Sequence, residues 1–93
     1  GGIIGPMTTE NLRKFIVEEQ RPFCKGEPNA HATANYLTMF HGWIFGAQDL
    51  QDQQAALKAF NYDDIDELRR DATELADNLR TELDQESWNV YFG

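Results

Sequence analysis

Between residues 64 and 86 apolar side chains return every third or fourth position. With Ile65 as origin, Leu68, Ala72, Leu75, Ala76, Leu79 and Leu83 fall within an arc of about 100° at helical pitch. This spacing predicts one amphipathic helix of some six turns. Asp63 or Asp64 caps its start, where a carboxylate also suits the helix dipole. Residues 29 to 48, "NAHATANYLTMFHGWIFGAQ", contain no Asp, Glu, Lys or Arg, and their apolar positions cover well over half the helix circumference. They predict a second helix, capped by Asn29 and surrounded by protein. A membrane span is the rival for so apolar a run, but its histidines, amides and threonines and the lack of a basic flank argue against one.

The remaining pattern is shorter. "MTTENLRKFIVEEQRP" predicts a first helix with Leu12, Phe15 and Ile16 inward, Thr8 as cap, a Met7–Leu12 staple and Pro22 as stop. "DLQDQQAALKAFN" predicts a third, capped by Asp52, with Leu57 and Phe60 inward and Asn61 ending it. The tail "SWNVYFG" is apolar, and Trp88, Val90, Tyr91 and Phe92 are expected to fold back onto the core rather than to anchor another chain. The expected architecture is an all-α compact bundle of three to four helices with a long amphipathic C-terminal helix, completed by dimerisation where the second helix lacks cover. Residues 1–6 read as a vector-derived leader, and 7–93 as one domain.

Charge sharpens this picture. The net charge is −8, yet residues 1 to 48 carry four acids against four bases and sum to zero. The entire excess lies beyond residue 48, which argues against direct nucleic-acid binding, since each phosphate contact needs a cation. On the long helix Asp66, Glu67, Asp71, Glu74, Asp77, Glu82 and Asp84 spread over the side away from the apolar stripe. The plain reading is a solvated surface eased by the i,i+4 pairs Asp66–Arg70, Arg70–Glu74 and Arg80–Asp84. The functional reading is a face that meets a basic protein. Nine acids between Asp64 and Glu86, along about 34 Å of helix, approach the charge density of one DNA strand. By analogy of size and charge with small acidic phage and mobile-element proteins, a nucleic-acid mimic inhibiting a nucleic-acid-handling protein is the narrowest version.

A second candidate is a seam. Ala30, Ala34, Thr38, Gly42 and Gly46 recur every fourth residue, and Thr38, Gly42 and Gly46 would let a second copy approach closely, giving a homodimer. Candidate chemistry is sparser. His31 and His41 lie about 15 Å apart on one helix and cannot share a metal. Cys24, the only cysteine, permits no internal disulfide and suits a reducing, cytoplasmic setting. Ser87, the only serine, has no histidine beside it. "ELADNL", residues 74 to 79, resembles the Glu-x-x-Asp signature of all-α nucleoside triphosphate pyrophosphatases of the MazG type, which implies Mg²⁺ held by Glu74 and Asp77. That family's partner motif, Glu-Glu-x-x-Glu, would fall in or near residues 29 to 48, where no carboxylate exists. No catalytic residue, cofactor or metal is therefore expected, and protein binding is preferred.

Overall fold

A computed structural model describes residues 9–93; the expected Thr8 cap and Met7 staple lie outside them. The described residues form five α-helices: α1 (Thr9–Gln20), α2 (Ala30–Gly46), α3 (Leu50–Phe60), α4 (Ile65–Asn78) and α5 (Gln85–Phe92). The all-α expectation holds. No helix among them is long and apolar enough to cross a membrane.

Leu12 and Ile16 bury the inner stripe of α1, and Phe15 packs half-buried beside them. Gln20, one turn on, is also buried, with its amide nitrogen unpaired. The helix ends there because Pro22 has no N–H to continue it, and the chain tightens into a 3₁₀ turn at Arg21–Phe23. Asn29 caps α2 as expected, its side-chain oxygen accepting the Ala32 N–H at 2.9 Å.

Within one chain the described residues leave part of α2 uncovered. Thr33, Ala34, Leu37 and Ile44 are buried, but Met39 is 64% and Trp43 42% exposed, because α1, α3, α4 and α5 together leave one side open. Its C-terminal carbonyls have a specific partner. Arg69 donates from Nε to the Ile44 oxygen (3.1 Å) and from its terminal nitrogen to the Ala47 oxygen (2.8 Å). That places a cation at the negative end of the helix and satisfies carbonyls that lack intrahelical donors.

The cap of α3 is Asp49 rather than Asp52. Asp49 has the extended backbone a cap requires and accepts the Asp52 N–H at 2.8 Å, which puts Asp52 already inside the first turn. Asn61 does end the helix, in the left-handed region at φ 61° and ψ 47°. Its N–H returns to Lys58, and the Tyr62 N–H reaches the Leu57 carbonyl at 2.9 Å. These two bonds make a Schellman closure. It turns the buried Tyr62 under the start of α4, where Asp64 caps by accepting the Glu67 N–H.

The expected six-turn helix is two helices. α4 stops at Asn78, a 3₁₀ turn covers Leu79–Thr81, and Asp84 takes an extended conformation to cap α5. Its carboxylate accepts the Ser87 N–H at 2.7 Å and the Ser87 hydroxyl at 3.1 Å. Leu83 stays bonded to Leu79 through the backbone (2.9 Å) and stays buried, so the apolar period runs through the break undisturbed. The tail does return to the core: Trp88, Tyr91 and Phe92 pack half-buried against it, whereas Val90 is 80% exposed. In the assembled fold α1 packs on both α2 and α4, α3 on α4 and α2, and α5 on α2.

Candidate functional site

The seven acids expected on one surface have different fates. Asp71 is a correction: it is 2% exposed and accepts a 2.6 Å hydrogen bond from the buried Tyr62 hydroxyl. The reason is angular. Asp71 precedes Leu75 by four residues, so it lies only about 40° from it and borders the apolar stripe. Burial, then the hydrogen bond to Asp71, pushes the Tyr62 hydroxyl far above its ordinary pKa. Glu82 is held by both terminal nitrogens of Arg13 on α1, and those bonds keep its carboxyl below the usual range. Asp84 is fixed as the cap of α5, its pKa lowered chiefly by the Ser87 N–H. Asp66 and Glu67 occupy the first turn of α4, beside its positive end. Glu74 and Asp77 are exposed on the flank that faces α2 and α5.

Among the described residues none of the three expected i,i+4 pairs closes. Arg80 bonds Asp77 at 2.9 Å instead, and its guanidinium lies 3.6 Å from the centre of the Trp88 ring system. Trp88 in turn donates from Nε1 to the Ala76 carbonyl at 2.7 Å.

These contacts frame an open groove of about 590 Å³ between α2, α4 and α5. Leu37, Ala72 and Ala76 lie at its base; Thr38, His41 and Phe45 form the α2 wall. Thr73, Glu74 and Asp77, with Arg80 from the 3₁₀ turn that follows, form the α4 wall, and Trp88, Tyr91 and Phe92 close the third side. His41 stacks on Phe45 at 4.4 Å, and His31 Nδ1 lies 3.3 Å from the Tyr91 hydroxyl. The groove thus unites Glu74 and Asp77 from the expected acidic face with Thr38 from the expected seam. Gly42 and Gly46 lie outside it, and a Cβ built on either meets nothing within 4 Å. Among the described residues no backbone needs their smallness.

Thr38 alone of the seam faces the groove, and its hydroxyl donates to the Asn35 carbonyl at 2.6 Å. The aromatic contribution of α5 was not foreseen as part of a site. Its one sequence signal is the Asp84–Ser87 cap, which predicts a helix start where periodicity predicts continuation.

The chain matches no protein-family model, no curated protein and no solved structure. The short likeness of residues 74 to 79 to the pyrophosphatase signature gains nothing from the geometry either. Among the described residues no three His, Cys, Asp or Glu side chains converge where they could hold a metal ion. Glu74 and Asp77 face an aromatic wall rather than a second acidic helix, and Asp77 is engaged by Arg80. Cys24 is a half-buried free thiol in the loop before α2. The Ser87 hydroxyl is bonded to the Asp84 carboxylate that caps its own helix. What the groove offers is an apolar, aromatic trough with Glu74 and Asp77 along one rim.

Proposed function

We propose that this protein is a small acidic binding module that holds another protein against the α2–α4–α5 groove and the adjoining acidic surface of α4. The observation that carries this reading is the meeting of an aromatic trough with Glu74 and Asp77 on its rim. Apolar area supplies affinity, and the carboxylates steer a basic surface into place. The acidic surface that a nucleic-acid mimic would present is interrupted by burial at Asp71 and by the turn between α4 and α5. The target is accordingly a basic protein surface, and inhibition of a nucleic-acid-handling protein is one form its consequence could take.

The test is retention of partners from native-host lysate by the wild type, by Glu74→Lys/Asp77→Lys, and by Glu19→Lys/Glu86→Lys. The last pair makes the same charge change on exposed positions outside the groove. The reading expects a partner lost with the first variant, kept by the second, and released as salt shortens the screening length. A partner indifferent to all of these overturns it.

One observation favours a second reading, a homodimer through the outer side of α2. Met39 and Trp43 are exposed there beside Gly42 and Gly46, on a helix without formal charge in a chain of net −8. Gly42→Leu and Gly46→Leu leave the monomer unstrained, since open space surrounds both positions. Each should dissociate such a dimer in light scattering; a monomeric wild type ends this reading.

A further inference from the structure

We infer that the groove receives a single amphipathic helix from another protein, carrying lysine or arginine on the flank that faces α4. This rests on the binding-module reading and specifies the partner's form.

The first support is the unequal cover of the α2–α4 pair. α1 and α3 both pack against α2 and α4, yet neither contributes a residue to the groove. On the groove side the third wall is only the eight-residue α5, about 12 Å long, against about 25 Å for the 17-residue α2. The spacing of the walls is the second support. Thr38, His41 and Phe45 stand at i, i+3 and i+7 on α2; Thr73 and Asp77 stand at i and i+4 on α4, with Arg80 in the 3₁₀ turn that follows. The α2 row runs about 10 Å, two helical turns, and a guest helix presents ridges of that same spacing.

The groove is also electrically one-sided. The α2 wall comes from a helix without Asp, Glu, Lys or Arg, whereas the α4 wall carries Glu74 and Asp77. Arg80 does not cancel both, because its guanidinium is bonded to Asp77 and lies over Trp88. A cation on the guest therefore belongs beside Glu74, which fixes the guest's rotation about its own axis. Finally, the described residues contain no strand, so there is no sheet edge to pair with an extended peptide. A helix satisfies its own backbone bonds over an apolar floor, and an extended segment does not.

The probe is a fluorescein-labelled amphipathic helix of about 18 residues, long enough to exceed both walls. It carries leucine at i, i+3, i+4 and i+7 and lysine along one flank. Two controls replace the lysines with glutamate, or two central residues with proline. Fluorescence anisotropy should show the lysine peptide binding, and each control about tenfold weaker or more. Thr73→Trp fills the groove from an exposed position without touching the core, and should weaken binding by about tenfold or more.

Equal binding of the proline peptide, or indifference to Thr73→Trp, overturns the inference. So does a wild-type dimer that Thr73→Trp dissociates, because a second copy would then be the occupant. If no peptide binds while the lysate partner is still lost with Glu74→Lys/Asp77→Lys, the helix inference falls and the binding-module reading stands. If the lysine peptide binds in the groove but the lysate partner ignores that charge reversal, the broader reading falls instead.

Discussion

The indole N–H of Trp88 on α5 and the carbonyl oxygen of Ala76 on α4 are joined by a 2.7 Å hydrogen bond across the break at residues 79 to 84. Ala76 lies in the last turn of α4, where carbonyls lose their intrahelical donors. Trp88 supplies a donor, Arg80 covers its ring, and α5 is held as the third wall of the groove. One contact therefore joins the broken helix to the site.

Trp88→Phe keeps most of the bulk and removes the donor. Stability should fall by about 1 kcal/mol for the lost hydrogen bond, with a further loss from the weaker cation–π contact. For a domain of this size that lowers Tm by roughly 4–8 °C. A thermal melt followed by circular dichroism measures it; an unchanged Tm would detach α5 from the fold.

The Tyr62–Asp71 pair predicts a larger penalty. Tyr62→Phe leaves a buried carboxylate without its donor and should cost about 2 kcal/mol in urea unfolding. Reversing the charge at Asp71 should abolish folding altogether, which distinguishes it from Glu74 and Asp77, where reversal should leave Tm nearly unchanged. Because burial raises the Tyr62 pKa, its stabilisation persists at and below the ordinary value of 10.0. It declines as pH climbs above that value and the unfolded chain ionises first.

Acid should act with the opposite sign through Glu82. Arg13 lowers its folded pKa, so the Arg13–Glu82 contribution is present above the ordinary 4.5 and is lost as pH falls through the lower folded value. Glu82→Gln should leave a flatter decline in Tm on the acid side than the wild type shows. Parallel acid profiles for the two would remove Arg13–Glu82 from the account.

Local chemistry was legible in the chain. Asn29 and Asn61 act within four residues of themselves, and each stands where its cap or stop signal placed it. The Asp49–Asp52 ambiguity is of the same local kind, two possible caps three residues apart. The break after Asn78 was hidden for a physical reason: the turn preserves the Leu79 to Leu83 offset, so hydrophobic periodicity carries no trace of it. Asp71 was misplaced because an acidic residue at the edge of a stripe is read as solvent-facing until a distant donor, here Tyr62, covers it. The groove draws on three helices, and its aromatic wall depends on the break after Asn78 that periodicity could not reveal.

A photo-crosslinking amino acid at Thr73, inside the groove, and separately at Met39, on the open outer side of α2, would report what each surface meets. After irradiation in native-host lysate, mass spectrometry maps the residue captured at each position. The expected result is an adduct at Thr73 to a helical, lysine- or arginine-bearing segment of another protein, lost when Glu74 and Asp77 are changed to lysine. Adducts at Met39 alone, or at Thr73 to a second copy of this chain, would contradict it.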